Sequence, residues 1–156
     1  VFDTVISALG TLPVHVLATC GRDIEPSSFG PIPGSVRIVQ YVPQLQVLKY
    51  CNLVVSHAGA GTMLGALASG VPMLLLPQGA DQLFNASRCC AAGAALMLRP
   101  DEASPNAIAA AAQRLMAEPS FASRAAAIAG EIASMPSAED ALLAIEQMVN
   151  TQTQSC

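Results

Sequence analysis

Two hydrophobic periods alternate along the chain. Short apolar runs bounded by Gly or Pro are typical of strands that are buried on both faces of a parallel sheet. They predict strands at residues 14–19, 36–39, 53–56, 73–76 and 95–98. Apolar residues between these runs recur at helical spacing instead. We therefore expect an α/β fold, a Rossmann-like, doubly wound parallel sheet.

The helices of this fold carry recognisable start and stop signals. We predict helices at residues 1–9, 45–50, 63–69, 121–134 and 138–149, with a loop at 26–34. A further helix is expected to end at about residue 92, and another to begin at residue 105. Ser104 followed by Pro105 is an N-cap serine with proline at the first helical position. Ser137 has Asp140 three residues further on, a variant of the capping box. Gly10 and Gly93 are expected to end helices.

The central stretch, residues 52–77, reads as strand, glycine loop, helix and second strand. Its loop has the sequence His57-Ala58-Gly59-Ala60-Gly61-Thr62. Where a helix follows such a loop, free N–H groups and the positive end of the helix dipole face the crevice. This predicts an anion site, with phosphate as the expected anion.

Two other interpretations of this loop stay open. It could be an ordinary strand-to-helix turn in which glycines serve packing. Gly59, Gly61 and Gly65 also spell a glycine pattern similar to that of dinucleotide-binding domains. That pattern requires an acidic residue at the end of the next strand, whereas this strand ends in Pro77 and the acid comes only at Asp81.

Composition narrows the classes of function. The chain has 156 residues, 53% of them hydrophobic and 12% charged, with a net charge of −4. That is enough for one domain with a real core, and the absence of a basic cluster argues against nucleic acid binding. The five cysteines lack metal-ligand spacing, and the sequence has neither a long apolar run nor a signal peptide pattern. We therefore expect free thiols and a cytoplasmic location.

Polar residues follow three predicted strands at one edge of the sheet. Tyr41, His57 and Asp81 each come shortly after a strand. In doubly wound sheets, ligands bind outside the carboxyl ends of the strands. We expect the three to meet in one crevice. Structural alternatives are that Tyr41 belongs to the core and that Asp81 only caps the following helix.

The motifs in this order resemble a known family. The sequences are Tyr41-Val42-Pro43-Gln44, the 57–62 loop, Gly70-Val71-Pro72, and Pro77 with Asp81-Gln82 and Asn85-Ala86. Together they are similar to the signature of the UDP-glycosyltransferase superfamily, most of all to its bacterial branch that glycosylates natural products such as macrolides and aromatic polyketides, including antibiotics. The resemblance covers about residues 14–149.

This resemblance implies the C-terminal, donor-binding half of a two-domain GT-B enzyme, here residues 1–150 followed by a polar tail at 151–156. We expect the domain's first strand to precede Val1. By motif, the resemblance assigns the diphosphate to His57, Gly59, Ala60, Gly61 and Thr62, the base and ribose to Tyr41, Val42 and Gln44, and the donor sugar to Asp81 and Gln82. The donor would be a UDP- or TDP-sugar.

The resemblance also implies what the chain lacks. The base that activates the acceptor belongs to the N-terminal domain, so no catalytic residue is expected here and the chain alone should be inactive. Plant and animal members carry a glutamate for the ribose hydroxyls at the position of Gly65, which has no side chain, so the contact made by that glutamate is left unassigned. No cofactor is expected, and no metal, because the sequence contains no Asp-x-Asp. An alternative is the donor-binding subunit of a split glycosyltransferase that docks on a membrane-bound acceptor subunit.

Overall fold

The computed structural model describes the backbone of residues 1–153 and the side chains of residues 1–148. Strands and helices alternate along most of this range, as expected. The strands are β1 (Val16–Thr19), β2 (Val36–Val39), β3 (Val54–Ser56), β4 (Met73–Leu75) and β5 (Ala95–Met97). The helices are α1 (Phe2–Leu9), α2 (Gln44–Leu48), α3 (Ala60–Ala68), α4 (Gln82–Ala91), α5 (Pro105–Ala117), α6 (Pro119–Ala133) and α7 (Ala138–Thr153).

All strand pairs of the described chain are parallel, but they form two sheets. One sheet pairs β1 with β2, and the other has the order β3-β4-β5. Hydrogen bonds therefore do not join β1 to β3, and the expected sheet is divided between these strands. Both parts follow the α/β pattern of strands connected by helical crossovers.

Strand β4 lies at the centre of the core. Met73 and Leu75 point to a cluster that contains residues of α3 and α4, whereas Leu74 packs in a second cluster with α1 and α5. All three side chains are 0% exposed. Successive strand residues point to opposite faces, so helices cover both sides of this sheet. A third cluster joins α1 to β2 through Ile6, Val36 and Ile38.

Local start signals are confirmed by hydrogen bonds. The Ser104 hydroxyl accepts from the N–H of Ala107 at 3.2 Å, and Pro105 begins α5. The N–H and hydroxyl of Ser137 both donate to Asp140 Oδ2, at 2.8 and 2.9 Å, while the Ser137 hydroxyl accepts from the N–H of Asp140 at 3.1 Å. The predicted capping box is thus complete.

Several predicted boundaries are wrong. Helix α3 begins at Ala60, three residues before the predicted Met63, and α7 continues to Thr153 instead of ending at Val149, which carries it into the predicted tail. Residues 154–156 lie outside the described range. The predicted 26–34 loop contains a 3-10 turn at Pro26–Phe29.

The glycines predicted to end helices do so for different reasons. Gly93 follows α4 with φ +78°, a left-handed conformation that favours glycine. Gly10 is the C-cap of α1, but its φ of −64° is ordinary. A Cβ at Gly10 would collide with Cγ of Pro33. Close packing therefore explains the glycine at position 10.

The four described cysteines are free thiols, as predicted. Burial raises the pKa of Cys51 and Cys89; the pKa of Cys90 is raised by burial and then by the neighbouring charge of Cys89. These three thiols therefore stay protonated at neutral pH. None of the described helices is both long enough and apolar enough to cross a membrane.

Candidate functional site

The loop after β3 ends in a helix N-terminus with unpaired amides. Gly59 is the N-cap of α3, and the first amide bonded inside the helix is that of Met63, to the carbonyl of Gly59 at 3.0 Å. Ala60, Gly61 and Thr62 form the first turn, where amides have no partner within a helix. The early start of α3 therefore makes three of the predicted phosphate ligands neighbouring N–H donors at the positive end of the helix dipole.

His57 lies against this helix start. A Cβ built on Gly59 would be 2.6 Å from Nε2 of His57, so only glycine at position 59 admits the ring in this place. His57 is exposed, so the ring can reach a ligand at the loop. A Cβ on Gly61 would meet nothing within 4 Å. Packing within the chain therefore does not account for glycine at position 61.

Ala58 holds the loop in shape. It is 0% exposed and has a left-handed backbone, with φ +66°. Its N–H donates to the Ser56 hydroxyl at 3.2 Å, and its carbonyl accepts from Nδ2 of Asn85 on α4 at 3.2 Å. Both backbone polar groups of this buried residue are thus satisfied by side chains, as buried backbone groups require.

Asp81 contacts the same asparagine. Nδ2 of Asn85 donates to Asp81 Oδ2 at 3.0 Å, so one nitrogen bridges the loop after β3 and the loop after β4. Asp81 occupies the N-cap position of α4, but its side chain makes no capping hydrogen bond. The interpretation that Asp81 only caps this helix is therefore wrong. Its carboxylate is exposed at the edge where His57 lies.

Gln82 is engaged with its own loop. Its Oε1 accepts from the N–H of Gln78 at 2.7 Å and from the N–H of Gly79 at 3.1 Å. These bonds brace a turn in which Ala80 has a left-handed φ of +52°. A sugar contact by Gln82 would therefore use its amide nitrogen.

The third group of predicted residues follows β2. Tyr41 is 58% exposed, so the interpretation that it belongs to the core is wrong. The guanidinium of Arg22 lies 4.6 Å from the centre of its ring, a cation–π contact. Val42 is half-buried, and Gln44 is exposed as the first residue of α2. An aromatic face is therefore presented at the carboxyl end of β2.

Gly65 has a packing role. A Cβ there would lie 3.3 Å from Cδ1 of Leu48 and 3.4 Å from Cδ2 of Leu45, both on α2. Helix α2 packs against α3 at this point, which joins the Tyr41 group to the loop that bears His57. A side chain at position 65 would crowd this contact. The third glycine of the dinucleotide-like pattern is thus explained by helix packing.

The structure therefore joins the loops of His57 and Asp81 directly and connects the Tyr41 group through α2. Sequence reasoning gave no role to Asn85 or Arg22. Asn85 belongs to the motif quoted above, and Arg22 follows β1 at the same edge, so both had a positional signal. A cavity of about 400 Å³ between α1 and residues 29–33 contains none of the predicted site residues. Within the described side chains, no group of three or more His, Cys, Asp or Glu could hold a metal ion.

These features define a class: parallel α/β domains that bind an anionic ligand at the carboxyl edge, on a helix N-terminus. Comparison with known families is more specific. Residues 3–148 match the family described as Erythromycin biosynthesis protein CIII-like, C-terminal domain, and the chain belongs to this family.

Its relatives are named glycosyltransferases. The chain is 36% identical over 129 residues to the oleandomycin glycosyltransferase of Streptomyces antibioticus, covering 82% of this chain and 30% of that protein. It is 39% identical over 133 residues to the elloramycin glycosyltransferase ElmGT of Streptomyces olivaceus, covering 85% and 33%. The chain thus spans about a third of the length of these relatives.

The chain is also similar to solved structures of glycosyltransferases. The chain matches the spinosyn forosaminyltransferase SpnP with a TM-score of 0.85 and 32% identity, covering 96% of this chain and 38% of that one. It matches the glycosyltransferase VinC in complex with DTDP with a TM-score of 0.87 and 29% identity, covering 97% and 38%. The predicted fold class and the resemblance to bacterial natural-product glycosyltransferases are confirmed.

Proposed function

We propose that the chain is the donor-binding domain of a glycosyltransferase that moves a sugar from a nucleoside diphosphate onto a natural-product acceptor. The observation that carries this proposal is the pairing of the His57 ring with the three amides at the start of α3, bridged by Asn85 to the Asp81 carboxylate. The His57 ring and the helix amides suit a diphosphate, and the Asp81 carboxylate suits sugar hydroxyls. The family and its named relatives support the same activity.

The residues divide by ligand part. The amides of Gly59, Ala60, Gly61 and Thr62, with the His57 ring, bind the diphosphate; Asp81 and the amide nitrogen of Gln82 bind the donor sugar. Tyr41 stacks on the base, and Val42 and Gln44 complete the base and ribose contacts. The exposed ring of Tyr41 supports this assignment, since bases stack readily on aromatic faces.

The chemistry follows from these contacts. As the sugar leaves, negative charge develops on the nucleoside diphosphate. Donors that already point at this charge lower the barrier without reorganising. His57 and the α3 amides would supply that stabilisation in place of a metal ion. The base that deprotonates the acceptor would come from an N-terminal domain.

The nucleotide is a thymidine or uridine diphosphate. Two solved relatives, VinC and the spinosyn rhamnosyltransferase SpnG, are described as complexes with thymidine diphosphate, and this supports TDP over UDP. A cytoplasmic location, expected from the free thiols, belongs to the same proposal.

Isothermal titration calorimetry on the chain tests the proposal. We expect binding of TDP or UDP, no sugar transfer by the chain alone, and no binding of NAD. NAD binding without a response to TDP or UDP would instead make the chain a dinucleotide-binding domain. Transfer that appears only when a membrane-bound acceptor subunit is added would favour the split enzyme.

A further inference from the structure

Asn85 links two loops that contact different parts of the proposed donor. Its Nδ2 donates at 3.2 Å to the carbonyl of Ala58, 27 residues away, and at 3.0 Å to Oδ2 of Asp81. An asparagine amide has two N–H donors on that nitrogen, so both bonds can form at once. The side chain is half-buried, and its backbone N–H donates to the carbonyl of Asp81 at 3.0 Å.

Holding the carbonyl of Ala58 also orients the loop beyond it. The peptide unit is planar and trans, so its carbonyl and the N–H of Gly59 point in opposite directions. Fixing one end by Asn85 therefore fixes the other, which belongs to the proposed diphosphate site. Ala58 needs such support, because a left-handed alanine is strained unless its surroundings hold it.

The second bond orients the Asp81 carboxylate. Asp81 is exposed, so without a partner its side chain would rotate among staggered conformers. The bond from Asn85 to Oδ2 selects one of them and leaves Oδ1 to accept from a ligand hydroxyl. One side chain thus sets the geometry of both subsites.

We propose that Asn85 is a positioning residue that couples the diphosphate loop to the sugar-binding carboxylate. This inference rests on the proposed function. It implies that the two subsites are energetically dependent through Asn85. Replacing Asn85 should therefore weaken the binding of a nucleotide that carries no sugar, even though Asn85 lies on α4 beside the proposed sugar-binding residue Asp81.

The experiment is a double-mutant cycle. Affinities of the chain for TDP and TDP-glucose are measured by calorimetry for the wild type, Asn85→Ala, Asp81→Ala and the double variant. Asn85→Ala should weaken TDP binding about tenfold, because ligand binding must then supply the free energy that orders the loop, and TDP-glucose binding by more. Asp81→Ala should weaken TDP-glucose only. For TDP-glucose, Asp81→Ala should lower the affinity of the Asn85→Ala variant by less than it lowers the affinity of the wild type, as expected for residues in direct contact.

Ser87→Ala is the matched control. Ser87 lies on the same helix, and its hydroxyl donates to the carbonyl of Leu83 at 2.7 Å without touching either loop. Its replacement should leave both affinities unchanged. A purely structural role for Asn85 would lower the melting temperature while leaving the affinity of the folded variant for TDP within twofold, and that result would overturn the proposal.

Nuclear magnetic resonance on the wild type covers the case in which Asn85→Ala does not fold. The side-chain amide signal of Asn85 should shift when TDP binds and should also change in the Asp81→Ala variant. Signals that respond to neither would contradict the coupling. A wild type that binds neither TDP nor UDP would refute the proposed function itself, whereas normal binding with uncoupled subsites would refute only the role of Asn85.

Discussion

The position of His57 depends on a neighbour without a side chain. The ring occupies the space where a Cβ of Gly59 would be, which brings an exposed donor beside three helix amides. Asp81 follows a different strand, β4, and is assigned to a different part of the ligand in the proposed function. The two residues can therefore be separated by experiment.

Replacing His57 with alanine should weaken the binding of TDP and of TDP-glucose by the same factor. The change removes one hydrogen bond to a charged group, worth roughly 1.5–3 kcal/mol, or about one to two decades in affinity. Calorimetry with both ligands measures the loss. His15→Ala is the control, since this second histidine lies before β1. A His57→Ala variant that loses only TDP-glucose, with Asp81→Ala losing TDP, would reverse the assignment of the two loops.

At the residue scale, the sequence predicted which residues follow strands at one edge but not how their loops are held together. The motifs predicted Tyr41, His57 and Asp81, because each follows a strand at one edge. The bond from Asn85 to Ala58 spans 27 residues and depends on how α4 docks beside the loop. No local pattern carries that information.

Helix α7 shows how a single cap behaves at the scale of an element. The N–H of Ser137 and then its hydroxyl donate to the Asp140 carboxylate and lower its pKa below the ordinary value. Every described side chain of this helix is exposed, so little packing supports its start. The cap is therefore a main local support of the first turn.

Acid should weaken this cap. A carboxyl whose pKa is lower in the folded state stabilises that state at any pH above the pKa of the unfolded chain, roughly 3.9. This stabilisation is lost as the pH falls through the lowered pKa of the folded state. Circular dichroism between pH 6 and pH 2 should show a loss of helix in that window for the wild type. Asp140→Ala should already lack this helix at pH 6.

Glu139→Ala provides the comparison, since Glu139 lies in the same first turn without belonging to the capping box. It should keep the acid-dependent loss of helix. Identical curves for the two variants would show that general charge, rather than the hydrogen bonds from Ser137, stabilises the turn.

The helix boundaries show where local reasoning succeeded and failed. The start of α5 was predictable because Ser104 and Pro105 act within one turn. The start of α3 was not, because Gly61 and Thr62 disfavour a helix on their own. Packing of α3 against α6 and α2 outweighs those preferences.

The division of the sheet belongs to the scale of the whole molecule. Periodicity predicted every strand, yet pairing between strands depends on contacts distant in sequence. The proposed donor site draws on both sheets, since Tyr41 follows β2 whereas His57 and Asp81 follow β3 and β4.

The complete enzyme should work without a metal ion. Helix amides and His57 would stabilise the leaving diphosphate, the task that a divalent cation performs in many transferases. Full transfer activity in excess EDTA is the expected result. Activity that is lost in EDTA and restored only by Mg²⁺ or Mn²⁺ would contradict it.

The separate core clusters also order events during synthesis. Among the described elements, α1 is synthesised before the others, but its main packing partner α5 follows only after all five strands. The segment from α2 to β5 has its own apolar cluster, whose members all lie within residues 48–97. Short-range contacts of this kind form faster than distant ones. The loops of the proposed diphosphate and sugar sites can thus begin to fold before α1 packs against α5.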